Sequence, residues 1–208
     1  MSQTGTLEPR AFAEVVACIE DTGRIVDAAV RNHKTRDVEA LRGKLRRRLD
    51  DLDTKLDKLV SPATLEAVLV PLVVFLDERV QTRLAREGDP ESPPWPLLQW
   101  DLLGETDGGD EFFERAALLV PESKPEPLVV ATYLHCLESG FVGRHFDDPQ
   151  EIRACKERLS RCLPRGDAPA GASAAPTVRA RAALRYGLLA LGVAAGFHAV
   201  FALVALLW

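Results

Sequence analysis

Two carboxylates, Asp77 and Glu78, stand side by side at the end of an otherwise apolar run, Leu65–Leu76. Paired carboxylates are common equipment for general acid–base chemistry, but this spacing argues against that use. Neighbouring side chains on a helix diverge by about 100°, so the two groups cannot face one substrate atom. No base stands four residues on from either, where Gln81 and Thr82 are found. An unpaired buried carboxylate is too costly, so either both belong to a purely internal charge network or one is satisfied internally by Arg79 or Arg144 while the other faces a partner. Arg144 follows two glycine turns and is a candidate clamp for Glu105 or Asp77, since bidentate arginine pairs commonly fix loops.

Other chemistry is weaker. The run Gly104-Glu105-Thr106-Asp107-Gly108-Gly109 resembles a phosphate loop only in its glycines. Neither GxGxxG nor GxxxxGK[ST] is present and no strand precedes it, so a turn feeding a helix is the better reading. Four cysteines, Cys18, Cys136, Cys155 and Cys162, lack CxxC spacing. Cys155 and Cys162 lie seven apart on one helical face, with His135 and His145 as the only further candidate ligands. That set does not make a zinc site, and the thiols read as small apolar side chains in a reducing compartment. No metal or cofactor is implied.

The elements that must position these residues read as helices throughout. Apolar positions from Phe12 to Val30 give one or two helices over Arg10–Asn32, with Thr22-Gly23 a possible break. Val38, Leu41, Leu45, Leu49, Leu52, Leu56 and Leu59 advance by threes and fours, the mark of one long helix with a narrow apolar stripe, and Asp37 suits its N-cap. The opposite face carries Arg42, Lys44, Arg46, Arg47 and Arg48 among acids; it reads as a solvated surface in preference to a site for acidic lipid or protein. Ser61-Pro62 opens the helix bearing Asp77 and Glu78, and Pro71 is expected to bend it. A proline-rich loop, Gly88–Pro96, leads to a short helix near Leu97–Leu103, then one over Glu111–Leu119 that Thr106 or Asp107 could cap. Leu128–Glu138 reads as a buried helix stopped by Ser139-Gly140. The last helix uses Ile152, Cys155, Leu159 and Leu163. Nothing demands a strand; the fold class is all-α.

Both ends differ from this middle. Residues 1–9 are polar and expected to be disordered; residues 164–178 read as a flexible linker. The last 30 residues carry three of the 26 basic residues, Arg179, Arg181 and Arg185, and no acid, while the remainder carries 23 basic residues against 31 acids, a balance of −8. Such a body is a poor partner for nucleic acid and suits basic partners better. Tyr186–Trp208 has no charged side chain; as a helix its 23 residues reach about 34 Å, enough to cross a hydrocarbon core of about 30 Å. With the arginines before the span and nothing after it, the helical domain, residues 10–163, is expected to face the cytoplasm. The N-terminus shows no signal peptide, so residues 179–208 are expected to form a basic flank and a tail anchor. Within the span, Gly192 and Gly196 form a GxxxG spacing that would let two helices pair as a homodimer, with His198 near mid-bilayer to donate across the interface.

Three blocks carry a family resemblance: Phe75-Leu76-Asp77-Glu78; Gly104 through Phe113 (GETDGGDEFF); and Tyr133 through Arg144 (YLHCLESGFVGR). In this order, ahead of a C-terminal apolar segment, they resemble the DotU/TssL (IcmH) family of inner-membrane components of bacterial type VI and type IVB secretion systems. The likeness covers about Asp37 to Leu163. The chain departs from the family pattern at Asp107 and His145, in its proline-rich loop and in its first 36 residues.

The resemblance implies a cytoplasmic domain of about seven helices in two small bundles with a hook-like outline. It implies an anchoring role in the bacterial inner membrane, with an IcmF/TssM-type membrane protein and baseplate proteins as partners. Asp77 and Glu78 match the family's acidic pair at a groove between the bundles, which makes them, with Glu105 and Arg144, the expected partner-binding residues. No peptidoglycan-binding domain follows the anchor, so a link to the cell wall would come from another protein. The function expected is that of a structural subunit and not an enzyme. The competing readings are a membrane-tethered enzyme using Asp77 and Glu78, or an unrelated tail-anchored adaptor.

Overall fold

The computed structural model describes residues 7–31, 37–87, 93–104 and 107–164. Among these residues there are seven α-helices and no strand: α1 Pro9–Arg31, α2 Val38–Leu56, α3 Pro62–Glu87, α4 Leu98–Leu103, α5 Gly108–Leu118, α6 Pro127–Glu138 and α7 Pro149–Cys162. Two single 3-10 turns, Pro121–Ser123 and Gly143–His145, join the later helices. All of this belongs to one compact unit ending at Asp167; a second, Ala168–Trp208, lies outside the described residues. Among the described residues no helix is long and apolar enough to cross a membrane. The expected span Tyr186–Trp208, with Gly192, Gly196 and His198, lies outside them, as does Glu105.

The helix α1 is unbroken, and Thr22 and Gly23 both have reasons to lie inside it. The buried Thr22 hydroxyl bonds back to the carbonyls of Cys18 (2.7 Å) and Ile19 (3.0 Å), so it competes with no other fold of the chain. At Gly23 the absent side chain leaves room for the Arg79 guanidinium of α3. The helix begins at Pro9, and Leu7 ahead of it is buried, so the core reaches into the segment expected to be disordered.

Asp37 caps α2 as its sequence suggests, accepting from the Ala40 N–H at 2.9 Å. Six stripe residues, Val38 through Leu56, are buried against α1 and α3. The seventh, Leu59, is not: the helix ends at Leu56 and Leu59 is exposed. The charged face is less solvated than expected, because Arg42 and Arg46 both pair with Asp101 of α4 and Arg48 pairs with Asp21 of α1.

Ser61 caps α3, accepting from the Thr64 N–H at 3.2 Å. Pro71 is buried inside α3, which continues to Glu87; α6 lies against it there, with the Cys136 thiol 3.8 Å from the Pro71 carbonyl. Helix α3 is the common wall: α1 and α2 pack on part of it, α4, α5 and α6 on the rest, and α7 packs on α6. One connected apolar core runs through all seven helices. Its aromatic centre is Phe112, with ring centroids 4.2 Å from Phe141 and 4.7 Å from Tyr133. This cluster fixes α5 and the turn after α6 beside the Asp77–Glu78 turn of α3.

Candidate functional site

Asp77 is only 1 % exposed, and its carboxylate is fully occupied by donors from one loop. The Trp95 indole N–H donates to Oδ1 at 2.7 Å, the Leu98 backbone N–H to the same oxygen at 2.9 Å, and the Gln99 N–H to Oδ2 at 2.9 Å. Helix α4 has Leu97 at its N-cap, which offers no side-chain acceptor. A helix start leaves unpaired N–H groups, and here a carboxylate from another helix satisfies two of them. Burial pushes the Asp77 carboxyl above its usual range, against the pull of these three donors and of Arg42.

Glu78 lies about 100° further round the helix and reaches a different loop. It is half-buried, and its two oxygens accept the backbone N–H groups of Val142 (2.9 Å) and Gly143 (2.6 Å). Burial raises this carboxyl too, and the two N–H groups oppose it. Gly143 cannot be replaced freely: its φ is +49°, and a Cβ would come within 3.1 Å of the Gly109 carbonyl and the Phe141 ring.

The expected cations are elsewhere. Arg79 turns toward α1 and over the Phe75 ring, and burial lowers its pKa. Arg144 pairs with Asp110 (3.5 Å) and Glu114 (3.9 Å) of α5 and stacks over Phe113. The anticipated arginine clamp on Asp77 is therefore replaced by an indole and four backbone N–H groups shared between the two carboxylates. Charge patterning points to cations but is blind to backbone donors, which every loop carries. A usable signal did exist: a buried tryptophan needs an acceptor, and a helix starting Pro-Leu-Leu-Gln has no cap of its own.

Between the two tethered loops lies a groove with a cavity of about 250 Å³, lined by Glu78, Gln81, Gln99, Gly109, Phe141 and Gly143 among others. Gln99, which the sequence reading did not single out, is 6 % exposed, and its side-chain oxygen has no hydrogen-bond partner. That oxygen lies against Gly108, where a Cβ would stand only 2.0 Å from it. Chemically, the carboxylates act as acceptors that hold α4 and the 141–143 turn to α3, and so shape the groove. Cys155 and Cys162 are used locally: Cys155 accepts from Arg158 at 3.4 Å, and Cys162 donates to the Leu119 carbonyl at 3.3 Å. Among the described residues no three His, Cys, Asp or Glu side chains are grouped as metal ligands.

The model of one protein family, type VI secretion system protein DotU, matches residues 14–208 of the chain. Among solved structures, DotU from Francisella novicida is similar at a TM-score of 0.59 and 19 % identity, over 73 % of this chain and 97 % of that one. At that identity the likeness speaks for the fold. No curated protein sequence matches the chain.

Proposed function

Since the chain belongs to the DotU family of type VI secretion system proteins, we propose that it is a structural subunit of the secretion machine's membrane complex, held in the bacterial inner membrane by Tyr186–Trp208. In this reading the helical domain faces the cytoplasm and links an IcmF/TssM-type membrane protein to baseplate proteins. The observation that carries it is the family match itself, which runs through the helical domain and on through the uncharged 23-residue tail. The acidic balance of the domain and a groove built on two carboxylates support a protein-docking role over nucleic-acid binding. Glu78 and the loops tied by Asp77 supply the docking surface, with Arg144, exposed in the turn beside Asp110, at its rim; Glu105, which lies outside the described residues, is proposed as a further partner-binding residue.

The test is purification of the full chain from membranes with mass spectrometry of what accompanies it. Recovery of a large IcmF-type protein and baseplate components is the expected result, and resistance of the chain to alkaline carbonate extraction goes with it. A chain that washes off membranes with carbonate, or an N-terminal tag found outside the cytoplasm, rejects the reading. Pairing of two tails through Gly192 and Gly196, with His198 donating across the interface, is part of the same proposal. Gly192→Leu should then reduce crosslinked dimer, and an unchanged dimer yield removes that element.

A further inference from the structure

Charge is divided unevenly along this chain. Residues 1–148 carry 18 basic residues against 28 acids, whereas residues 149–185, from the start of α7 to the uncharged tail, carry eight against three. Helix α2 is also rich in arginine, but its Arg42, Arg46 and Arg48 are paired with Asp101 and Asp21 of neighbouring helices. On α7 the cations are left over. Arg153 and Lys156 pair with no carboxylate among the described residues, and Arg161 donates only to the Glu157 carbonyl of its own helix, at 3.2 Å. Lys156, Glu157 and Arg161 stand three, four and eight residues on from Arg153, so all four share one face of α7. That face and Glu138 at the end of α6 line an open pocket of about 530 Å³. Cys155 and Leu159 fix the opposite side of the helix in the core, so the cations are held by a packed element.

We propose that this pocket takes the phosphate of an anionic phospholipid headgroup, with Arg153, Lys156 and Arg161 as donors, so that α7 rests on the membrane surface. The inference goes beyond the docking role and rests on one part of it, the span at Tyr186–Trp208. Two observations favour a lipid over a protein. Helix α7 is the described helix nearest to that span along the chain: the described residues end at position 164, and 21 residues separate it from Tyr186. Those 21 add Arg165, Arg179, Arg181 and Arg185 against Asp167 alone, so the positive charge continues up to the span. An anionic leaflet attracts basic residues next to a span and repels the acidic remainder of the domain. Glu138 and Glu157 also line the pocket and leave it a net charge of +1. They weaken its hold on a free anion, and such a site works where a tether supplies a high local concentration of ligand.

The experiment reconstitutes the full chain into lipid nanodiscs of phosphatidylcholine alone, or of phosphatidylcholine mixed with phosphatidylglycerol. Both are treated with N-hydroxysuccinimidyl acetate, an uncharged reagent, and the acetylation of each lysine is followed by mass spectrometry. Lys156 should react about fivefold more slowly in the anionic discs, the shift expected where one basic residue gains an anionic surface. The exposed Lys44 and Lys58 should keep their rates. The protection of Lys156 should fall at high salt and in the double variant Arg153→Gln with Arg161→Gln. It should rise in Glu138→Gln, a gain that misfolding cannot produce. Equal Lys156 rates in the two discs overturn the proposal, leaving the pocket to solvent if both are fast and to a protein contact if both are slow. Equal protection of Lys44 and Lys58, protection undiminished in the double variant, or no gain in Glu138→Gln also overturns it. So does soluble glycerol 3-phosphate that protects Lys156 as well in the zwitterionic discs, which would assign the pocket to a free phosphate. Recovery separates the two readings. A chain that enters neither kind of disc sinks the span and the headgroup site with it; a chain that enters both with Lys156 unprotected sinks the headgroup site alone.

Discussion

At Asp77 one side chain decides the local structure, and its loss has a calculable cost. Asp77→Ala strands an indole N–H and two backbone N–H groups in the interior. Unsatisfied buried donors cost about 1–3 kcal/mol each, so a loss of about 3 kcal/mol or more is expected in urea unfolding of the detergent-held chain. Glu78→Ala frees two N–H groups nearer to solvent and should lose about 1 kcal/mol. The pH dependence has a definite sign. Burial raises both carboxyls, so the folded protein holds these protons more tightly than the unfolded chain. Their contribution favours the fold fully below the unfolded pKa and declines as pH climbs through the raised folded one. Asp77→Asn cannot ionise, so its stability deficit against the parent should shrink as pH rises from about 4 toward neutrality; a deficit that widens would contradict the sign. The thiols order themselves in the same way. Burial pushes Cys18 up to about 11 and raises Cys136 further, whereas Cys162 is the one thiol that is only partly buried. Alkylation at mildly alkaline pH followed by mass spectrometry should mark Cys162 first and leave Cys136 until the chain unfolds.

The helices themselves were largely legible, because their evidence is local. The three- and four-residue spacing of leucines marks α2, Asp37 and Ser61 mark the starts of α2 and α3, and Ser139-Gly140 marks the end of α6. Leu45→Ala should accordingly cost about 2–5 kcal/mol, whereas Leu59→Ala, past the helix end, should stay within about 0.5 kcal/mol of the parent. What the sequence hid were contacts whose two halves carry no shared local pattern. The turn-like Thr22-Gly23 pair is helical because a hydroxyl bonds backward and an arginine from α3 fills the glycine's space. The donors to Asp77 and Glu78 are mostly backbone groups, which no residue type announces. Gln99 looked like an ordinary polar residue on a short helix, and only its burial gives it meaning. Gly108 belongs with it: Gly108→Ala would drive a methyl into the Gln99 oxygen and Val74, displacing the glutamine from the groove.

At the scale of the whole molecule, an acidic helical body precedes an uncharged tail of 23 residues. The two carboxylates on α3 close chain segments of very unequal size. Asp77 reaches partners 18 to 22 residues away, while Glu78 reaches partners 64 and 65 residues away. On loop-closure entropy alone the longer connection is about 1 kcal/mol harder to make, and its carboxylate is also the less buried of the two. Native-state hydrogen exchange should therefore reveal an asymmetric breathing motion, with the Val142 and Gly143 amides surrendering deuterium protection before those of Leu98 and Gln99. Each such opening would release the two ends of a 65-residue span of chain while the shorter loop tied by Asp77 stays shut.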